Sequence, residues 1–197
     1  MTLMDRGLEL DLITRLKRAE GDAFDQVFAA FNPRLFNFLA RLSRQRDVAE
    51  DLLEETWLRV VAHAPRLRDD TRLAPWLFTI ARNLYASYCR SRLLDYEMAA
   101  GLQLCPSQPP EPSPFEAAAA GELQQRVEVA LAGLPGIYRE ALLLVALEEM
   151  TPAEAATVCG VTQETMRQRL SRARGLLARR LDASAASSMT VLREVLP

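Results

Sequence analysis

The stretch MTPAEAATVCGVTQETMRQRLSRARGLLARRL, from Met150 to Leu181, sets the character of the chain. It predicts two helices around a sharp turn. Thr151 suits the N-cap position and Pro152 the first helical residue, while Glu154, three residues after the cap, completes a capping box. Ala155, Ala156 and Val158 give a short apolar face. Gly160 can take a positive φ without a Cβ clash and so ends this helix. Val161 is an apolar plug in the turn, and Thr162 caps a second helix expected to run to about Leu181. Met166, Leu170, Ala173, Leu177 and Leu181 recur at steps of three and four and form its buried stripe. Glu164, Arg167, Gln168, Ser171 and Arg172 fall on the opposite side.

That outward face has the chemistry of a major-groove reader. Arginine can donate two bonds to guanine, and glutamine pairs similarly with adenine. Arg167, Gln168, Ser171 and Arg172 are therefore candidate base-reading residues. Arg169, Arg174, Arg179 and Arg180 add charge for phosphates. Six arginines and no acid lie between Met166 and Leu181. A solvated basic face on any amphipathic helix would carry a similar run. The capped short helix, glycine turn, plug and polar-basic second helix together make the helix-turn-helix pattern.

The whole chain is not basic. Its 197 residues carry a formal net charge of −2, so nucleic-acid binding must rest on local patches. Residues 1–94 carry 15 basic side chains against 13 acidic, 95–121 none against 4, and 122–197 nine against nine. Sparse glycine favours long helices over sheets. Cys89, Cys105 and Cys159 are far apart and make no CxxC pair, which suggests a reducing compartment; Cys159 falls at a core position. The one histidine, His63, has no ligand-like neighbours in sequence, so it is expected at a surface or structural position and no metal or cofactor site is expected. The charged amino end lacks a secretion signal, and no apolar run is long enough to span a membrane, so a cytoplasmic protein is expected.

Residues 1–94 read as one helical unit. Leu8, Leu12, Ile13 and Leu16 form a stripe ending near Gly21, and Asp22 is a candidate cap for the next helix. That helix carries a dense apolar face from Phe24 to Leu42, which Pro33 is expected to kink or restart. Asp47 is a candidate cap for DVAEDLLEETWLRVV, in which Val48, Leu52, Leu53, Thr56, Val60 and Val61 can face inward. Glu50, Asp51, Glu54 and Glu55 make one acidic side. A helix surface offers no apolar pocket to shift a carboxyl pKa, so this side suits solvent or a basic partner. Trp57 fits either an interface anchor or the core. After the polar loop from Pro65 to Thr71, Pro75 opens the helix PWLFTIARNLYASYCRSR. Trp76, Leu77, Ile80, Ala81 and Leu84 can pack inward. Arg82, Asn83, Tyr85, Tyr88, Arg90 and Arg92 mix the basic, amide and aromatic groups that suit single-stranded nucleic acid.

Residues 95–121 are proline-rich, acidic and free of lysine and arginine, as expected for an extended linker. The stretch is either an inert spacer or an acidic mimic lying along a basic channel. In 122–182, Leu123, Val127, Ala130 and Leu131 predict a helix ending at Gly133. LPGIYREALLLVALEEM then predicts a nearly continuous apolar helix leading into the helix-turn-helix. The tail, 183–197, either frays or forms a short docking helix. The expected fold is all-α, with two small helical domains joined by a flexible linker.

Taken together, these segments resemble a bacterial RNA polymerase sigma factor of the extracytoplasmic-function class, and the resemblance covers nearly the whole chain. DVAEDLLEETWLRV is similar to the helix that family places on the clamp helices of the polymerase β′ subunit. WLFTIARNL is similar to its strand-opening and −10 segment. LPGIYREALLL with the helix-turn-helix and RLSRAR is similar to its −35 domain, which also implies contact with the β flap. The resemblance implies that Asn83 helps hold a flipped −10 base, with the loop from Arg66 to Thr71, including Arg68, beside it. It implies that Arg82, Arg90 and Arg92 hold nearby backbone. It places Asp51, Glu54, Glu55 and Trp57 against polymerase, and Arg167, Gln168, Ser171, Arg172 and Arg174 at the −35 groove. It also implies an anti-sigma partner. The chain departs from the family's common residues at Glu54, Ser87, Glu164 and Met166. The last two bear on −35 preference.

Two other classes fit parts of the pattern: a helix-turn-helix regulator that works without polymerase, and a helical adaptor with no DNA role. An enzyme is disfavoured, because no nucleophile–base set, metal cluster or phosphate loop is present in the sequence.

Overall fold

The computed structural model describes the backbone of residues 6–101 and 121–195, and the side chains of 6–93, 121 and 123–182. All regular structure among these residues is helical. The chain divides into two compact units.

The first unit contains α1 (Arg6–Lys17), α2 (Gly21–Ser43), α3 (Arg46–His63), a single 3₁₀ turn (Ala64–Arg66) and α4 (Leu73–Gly101). Phe31, Leu35, Phe38 and Leu39 from α2 meet Leu52 and Val60 of α3 and Leu73, Leu77 and Phe78 of α4 in its core. The Phe38 and Phe78 rings pack edge to face, 5.1 Å apart. Phe78 is fully buried, whereas Trp76, Ile80 and Leu84 are only half-buried, so the inward face of α4 is turned slightly from the expected one.

Several local expectations change for identifiable reasons. Asp22 does not cap α2: Glu20 holds the N-cap position without a side-chain bond, and Arg15 draws both acids, bonding Glu20 at 3.0 Å and also contacting Asp22. Asp47 does not cap α3, which begins at Arg46 after an extended Gln45; the Gln45 amide instead donates to Ser43 Oγ at 3.2 Å. Pro33 does not restart α2, which runs unbroken through it. The ring lies on the exposed face, where water can reach the carbonyl it leaves unpaired. In α1 the buried stripe is Glu9, Leu12, Ile13 and Leu16, with Leu8 turned outward. The helix α4 continues to Gly101, into the stretch read as linker. Cys105, with the rest of 102–120, lies outside the described residues.

The second unit contains α5 (Glu122–Ala132), α6 (Gly136–Leu142), a widened π turn (Leu143–Leu147), α7 (Pro152–Cys159) and α8 (Gln163–Val195). The expected continuous helix after Pro135 is thus interrupted. The Glu148 amide reaches back to the Leu143 carbonyl at 3.0 Å, and Glu149 takes a left-handed φ of 56°, uncommon for a residue with a Cβ. Arg139 is buried and donates to the carbonyls of Leu131 (3.1 Å), Ala132 (2.6 Å) and Leu134 (2.9 Å), closing the end of α5. Leu123 points to solvent, leaving Ala130, Leu131 and Ala132 as the buried end of α5.

The helix-turn-helix forms as its residues predict. The Thr151 amide donates to Glu154 Oε2 at 2.9 Å, and the Glu154 amide donates to Thr151 Oγ1 at 3.2 Å, a complete capping box. Gly160 takes φ 64°. The Thr165 amide donates to Thr162 Oγ1 at 3.1 Å, capping α8. Met166, Leu170 and Ala173 are buried, while Leu177 and Leu181 are half-buried. The helix does not stop at Leu181 but continues to Val195, so the described part of the tail is helical; its side chains lie outside the described residues.

Candidate nucleic-acid interface

In α8, Arg167, Gln168, Ser171, Arg172 and Arg174 are all exposed. The helix is anchored by Met166, Leu170 and Ala173 beneath, and the 3.6-residue period turns these five outward. Glu164 touches two of them: Gln168 Nε2 donates to its Oε1 at 3.3 Å, and Arg167 lies 3.8 Å from its Oε2. In the free protein one carboxylate therefore holds two candidate base readers. Arg172 and Arg179, two turns apart on one face, line a hollow of about 400 Å³ with Tyr138, Gly175 and Leu176. The remaining arginines differ in placement. Arg169 is half-buried, with Nη1 shielded and without a hydrogen bond. Arg180 does not simply project toward solvent: its guanidinium lies where a Cβ at Gly133 would sit, so it packs over the end of α5. Nearby, Arg126 donates to the Leu181 carbonyl at 3.1 Å.

In the first unit, Asn83 is exposed on α4 and shares a hollow of about 220 Å³ with Arg59, His63, Ile80, Leu84 and Ser87. Ile80 and Leu84 supply apolar surface, and Asn83, His63 and Ser87 supply donors and acceptors. His63 and Arg59 had no signal in the sequence. They reach the site because the end of α3 packs beside the middle of α4. Arg82 is half-buried and donates to Asn83 Oδ1 at 3.4 Å. Arg90 is exposed and bonds Ser87 Oγ at 2.9 Å, and Arg92 is exposed. Arg66 is exposed, whereas Arg68 is engaged by Asp70 through two bonds of 3.0 and 3.1 Å. Tyr85 is committed to the fold, donating to the Leu42 carbonyl at 3.0 Å, which leaves Tyr88 as the better-placed ring of that face.

The acidic side of α3 meets this hollow only through Glu55, whose partner Arg59 lines it. Asp51 and Glu54 are exposed; Glu55 is half-buried and bonds Arg59 at 2.8 Å. Trp57 turns mostly into the core at 8% exposure, and its Nε1 donates to Asn32 Oδ1 at 2.9 Å. Its ring packs on Phe24 and Phe28, with centroids 5.7 and 4.8 Å away. Beside it Leu58 and Val61 are 60% and 57% exposed, so Val61 does not face inward as expected. Phe24, Phe28, Leu53, Trp57, Leu58 and Val61 line an apolar hollow of about 440 Å³ rimmed by Glu50 and Glu54. Among the described residues no cluster of three metal-ligating side chains occurs, and no helix is long and apolar enough to cross a membrane.

A helix-turn-helix with an exposed arginine–glutamine face, on a chain whose other unit presents a polar hollow on a basic helix, has the features of a DNA-reading transcription protein. Sigma-70 region 2 matches residues 27–93, and Sigma-70, region 4 matches residues 124–177. The ECF RNA polymerase sigma factor EcfG of Rhodopseudomonas palustris is 36% identical over 156 residues, covering 78% of this chain and 82% of that one. SigM of Bacillus subtilis, also an ECF RNA polymerase sigma factor, is 29% identical over 150 residues, covering 76% and 90%. Among solved structures, the sigma factor RpoE of Bartonella quintana, crystallised with the anti-sigma factor NepR, matches with TM-score 0.67 and 31% identity, covering 81% of this chain and 96% of that one. The chain belongs to the ECF RNA polymerase sigma factors, the promoter-directing subunits that bind core RNA polymerase and promoter DNA.

Proposed function

We propose that the two units divide the promoter between them. The second reads the −35 element in the duplex through Arg167, Gln168, Ser171 and Arg172, with Arg174 and Arg179 on phosphates. The first reads the melted −10 element. A base turned out of the stack would enter the hollow at Asn83, facing His63 and Ser87, while Arg66, Arg90 and Arg92 hold the backbone. The observation that carries this reading is the Asn83 hollow itself, which joins hydrogen-bonding groups to an apolar wall on an exposed helix. Arg68 enters only by releasing Asp70.

The acidic side of α3, Asp51, Glu54 and Glu55, would dock on the β′ clamp helices, with the Trp57 hollow as apolar contact beside it. The second unit would also meet the β flap. The chain itself performs no bond-breaking step in this reading. Polymerase supplies the chemistry and the sigma factor supplies differential affinity. By analogy with the RpoE relative, an anti-sigma protein would hold the chain inactive; the working compartment is the cytoplasm, where polymerase acts.

The test is strand opening at a selected promoter by the full chain with core polymerase. Asn83→Ala is expected to slow opening and to flatten preference at one −10 base. Specific duplex binding with no polymerase association would instead identify a free-standing regulator.

A further inference from the structure

We propose that α1 is a clasp on the loop from Leu67 to Arg72, with Arg6 and Glu9 as positioning residues for base discrimination at the −10 element. The proposal rests on the reading of Asn83 and this loop as the −10 site.

Three side chains of α1 reach across more than fifty residues of sequence to the loop and its exit. Arg6 Nη1 donates to the Thr71 carbonyl at 3.0 Å, and Nη2 to the Asp70 carbonyl at 3.3 Å. Glu9 Oε1 accepts the Leu73 amide at 2.7 Å, the first amide of α4. Glu9 Oε2 holds Arg6 at 2.8 Å and Arg72 at 3.1 Å. About two turns further along α1, Lys17 holds Asp69 Oδ1 at 2.6 Å.

Glu9 is only 4% exposed. A carboxylate this buried persists where charge and donors surround it, and here two guanidinium groups and a helix-opening amide do so. The consequence is a common register. The carboxylate that starts α4, the helix carrying Asn83, also fixes Arg6, which grips the loop by two backbone carbonyls. Backbone carbonyls are held regardless of the loop's side chains, so the clasp sets the loop's path and leaves Arg66 and Arg68 free of it. The hollow at Asn83 is lined from α3 and α4 and not by this loop, so the clasp reaches it through the start of α4; a site that discriminates bases needs its parts held within a fraction of an ångström by residues outside the contact set. A loop ordered before DNA arrives also loses less freedom on binding.

The experiment uses the full chain with core polymerase on fork templates that differ only at the captured −10 base. The readout is the ratio of opening rates for the preferred base and its poorest substitute. Arg6→Ala and Glu9→Gln are each expected to lower that ratio roughly threefold to tenfold, the range over which residues without ligand contact tune a site. Preference at −35 should not change, and hydrogen exchange of the 67–73 amides should quicken. Lys17→Ala, which cuts an exposed tie and leaves the core intact, should give a smaller loss in the same direction. A purely structural role would lower both opening rates together and leave the ratio alone. An unchanged ratio in Arg6→Ala and Glu9→Gln, beside a lowered ratio in Asn83→Ala, overturns the clasp. An unchanged ratio in Asn83→Ala removes the −10 reading itself, and the clasp's role in discrimination falls with it.

Discussion

Arg139 donates to the carbonyl oxygen of Ala132 at 2.6 Å from a buried position, the shortest of three bonds with which it closes α5. Helix ends leave carbonyls without partners, and α5 has no left-handed glycine cap to serve them: Gly133 keeps right-handed backbone angles. A guanidinium from the next helix takes that role.

Replacing Arg139 with leucine is therefore expected to destabilise the second unit by about 3 kcal/mol or more, since hydrogen bonds to charged groups contribute roughly 1.5–3 kcal/mol each and, although the Leu131 carbonyl keeps the Leu134 amide, those of Ala132 and Leu134 lose this donor. Thermal melting of the chain checks this. A loss under about 1 kcal/mol would mean that water or another side chain serves these carbonyls equally well.

Two glycines should respond oppositely to alanine. Gly160 sits at φ 64° with open space where a Cβ would go, so Gly160→Ala meets only the left-handed backbone penalty, about 1–2 kcal/mol. Gly175 lies inside α8, also with open space, so Gly175→Ala should gain about 0.8–1 kcal/mol from helix propensity. Denaturant midpoints of the two variants, measured side by side, decide it. A loss at 175 would show that the hollow beside Tyr138 needs the missing side chain.

On the recognition face, Arg172→Ala is expected to relax base preference within the −35 element by about 1–3 kcal/mol. Arg179→Ala should weaken binding uniformly across sequences and reduce the slope of log K against log salt by about 1. Binding titrations at several salt concentrations with matched and altered −35 duplexes separate the two. Equal, sequence-independent losses from both would contradict the assignment of Arg172 as a base reader.

The Lys17–Asp69 tie should weaken as the solution is acidified. The hydrogen bond from Lys17, and then its charge, hold the Asp69 carboxyl below its ordinary value of 3.8. A depressed carboxyl contributes to stability above its unfolded pKa and loses that contribution as pH falls through the lower folded value. The tie is thus complete at neutral pH, and on the acid side it is released below about 3.8. An NMR titration of Asp69 should show the depressed midpoint, and Lys17→Ala should return it toward 3.8. An unmoved midpoint in that variant would mean that Lys17 does not hold the loop in solution.

What could be learned from residue order alone was mostly what acts over one or two helical turns. The capping box at Thr151 and Glu154, the left-handed Gly160, the Thr162 cap and the buried line of Met166, Leu170 and Ala173 depend on spacings of three or four residues, and those spacings carry the chemistry directly. The exposed arginines of α8 follow from the same period. Asp22 and Asp47 show the limit of this reasoning, because the same local rule proposes a cap that a neighbouring arginine or serine then displaces. Only the tertiary structure could bring His63 and Arg59 to Asn83, turn Trp57 inward while leaving Leu58 and Val61 out, lay Arg180 over Gly133, or place Glu9 at the first amide of α4. Each of these is settled by groups from another part of the fold. No periodicity within one helix records which partner another helix will present, since that is settled by how the apolar faces pack.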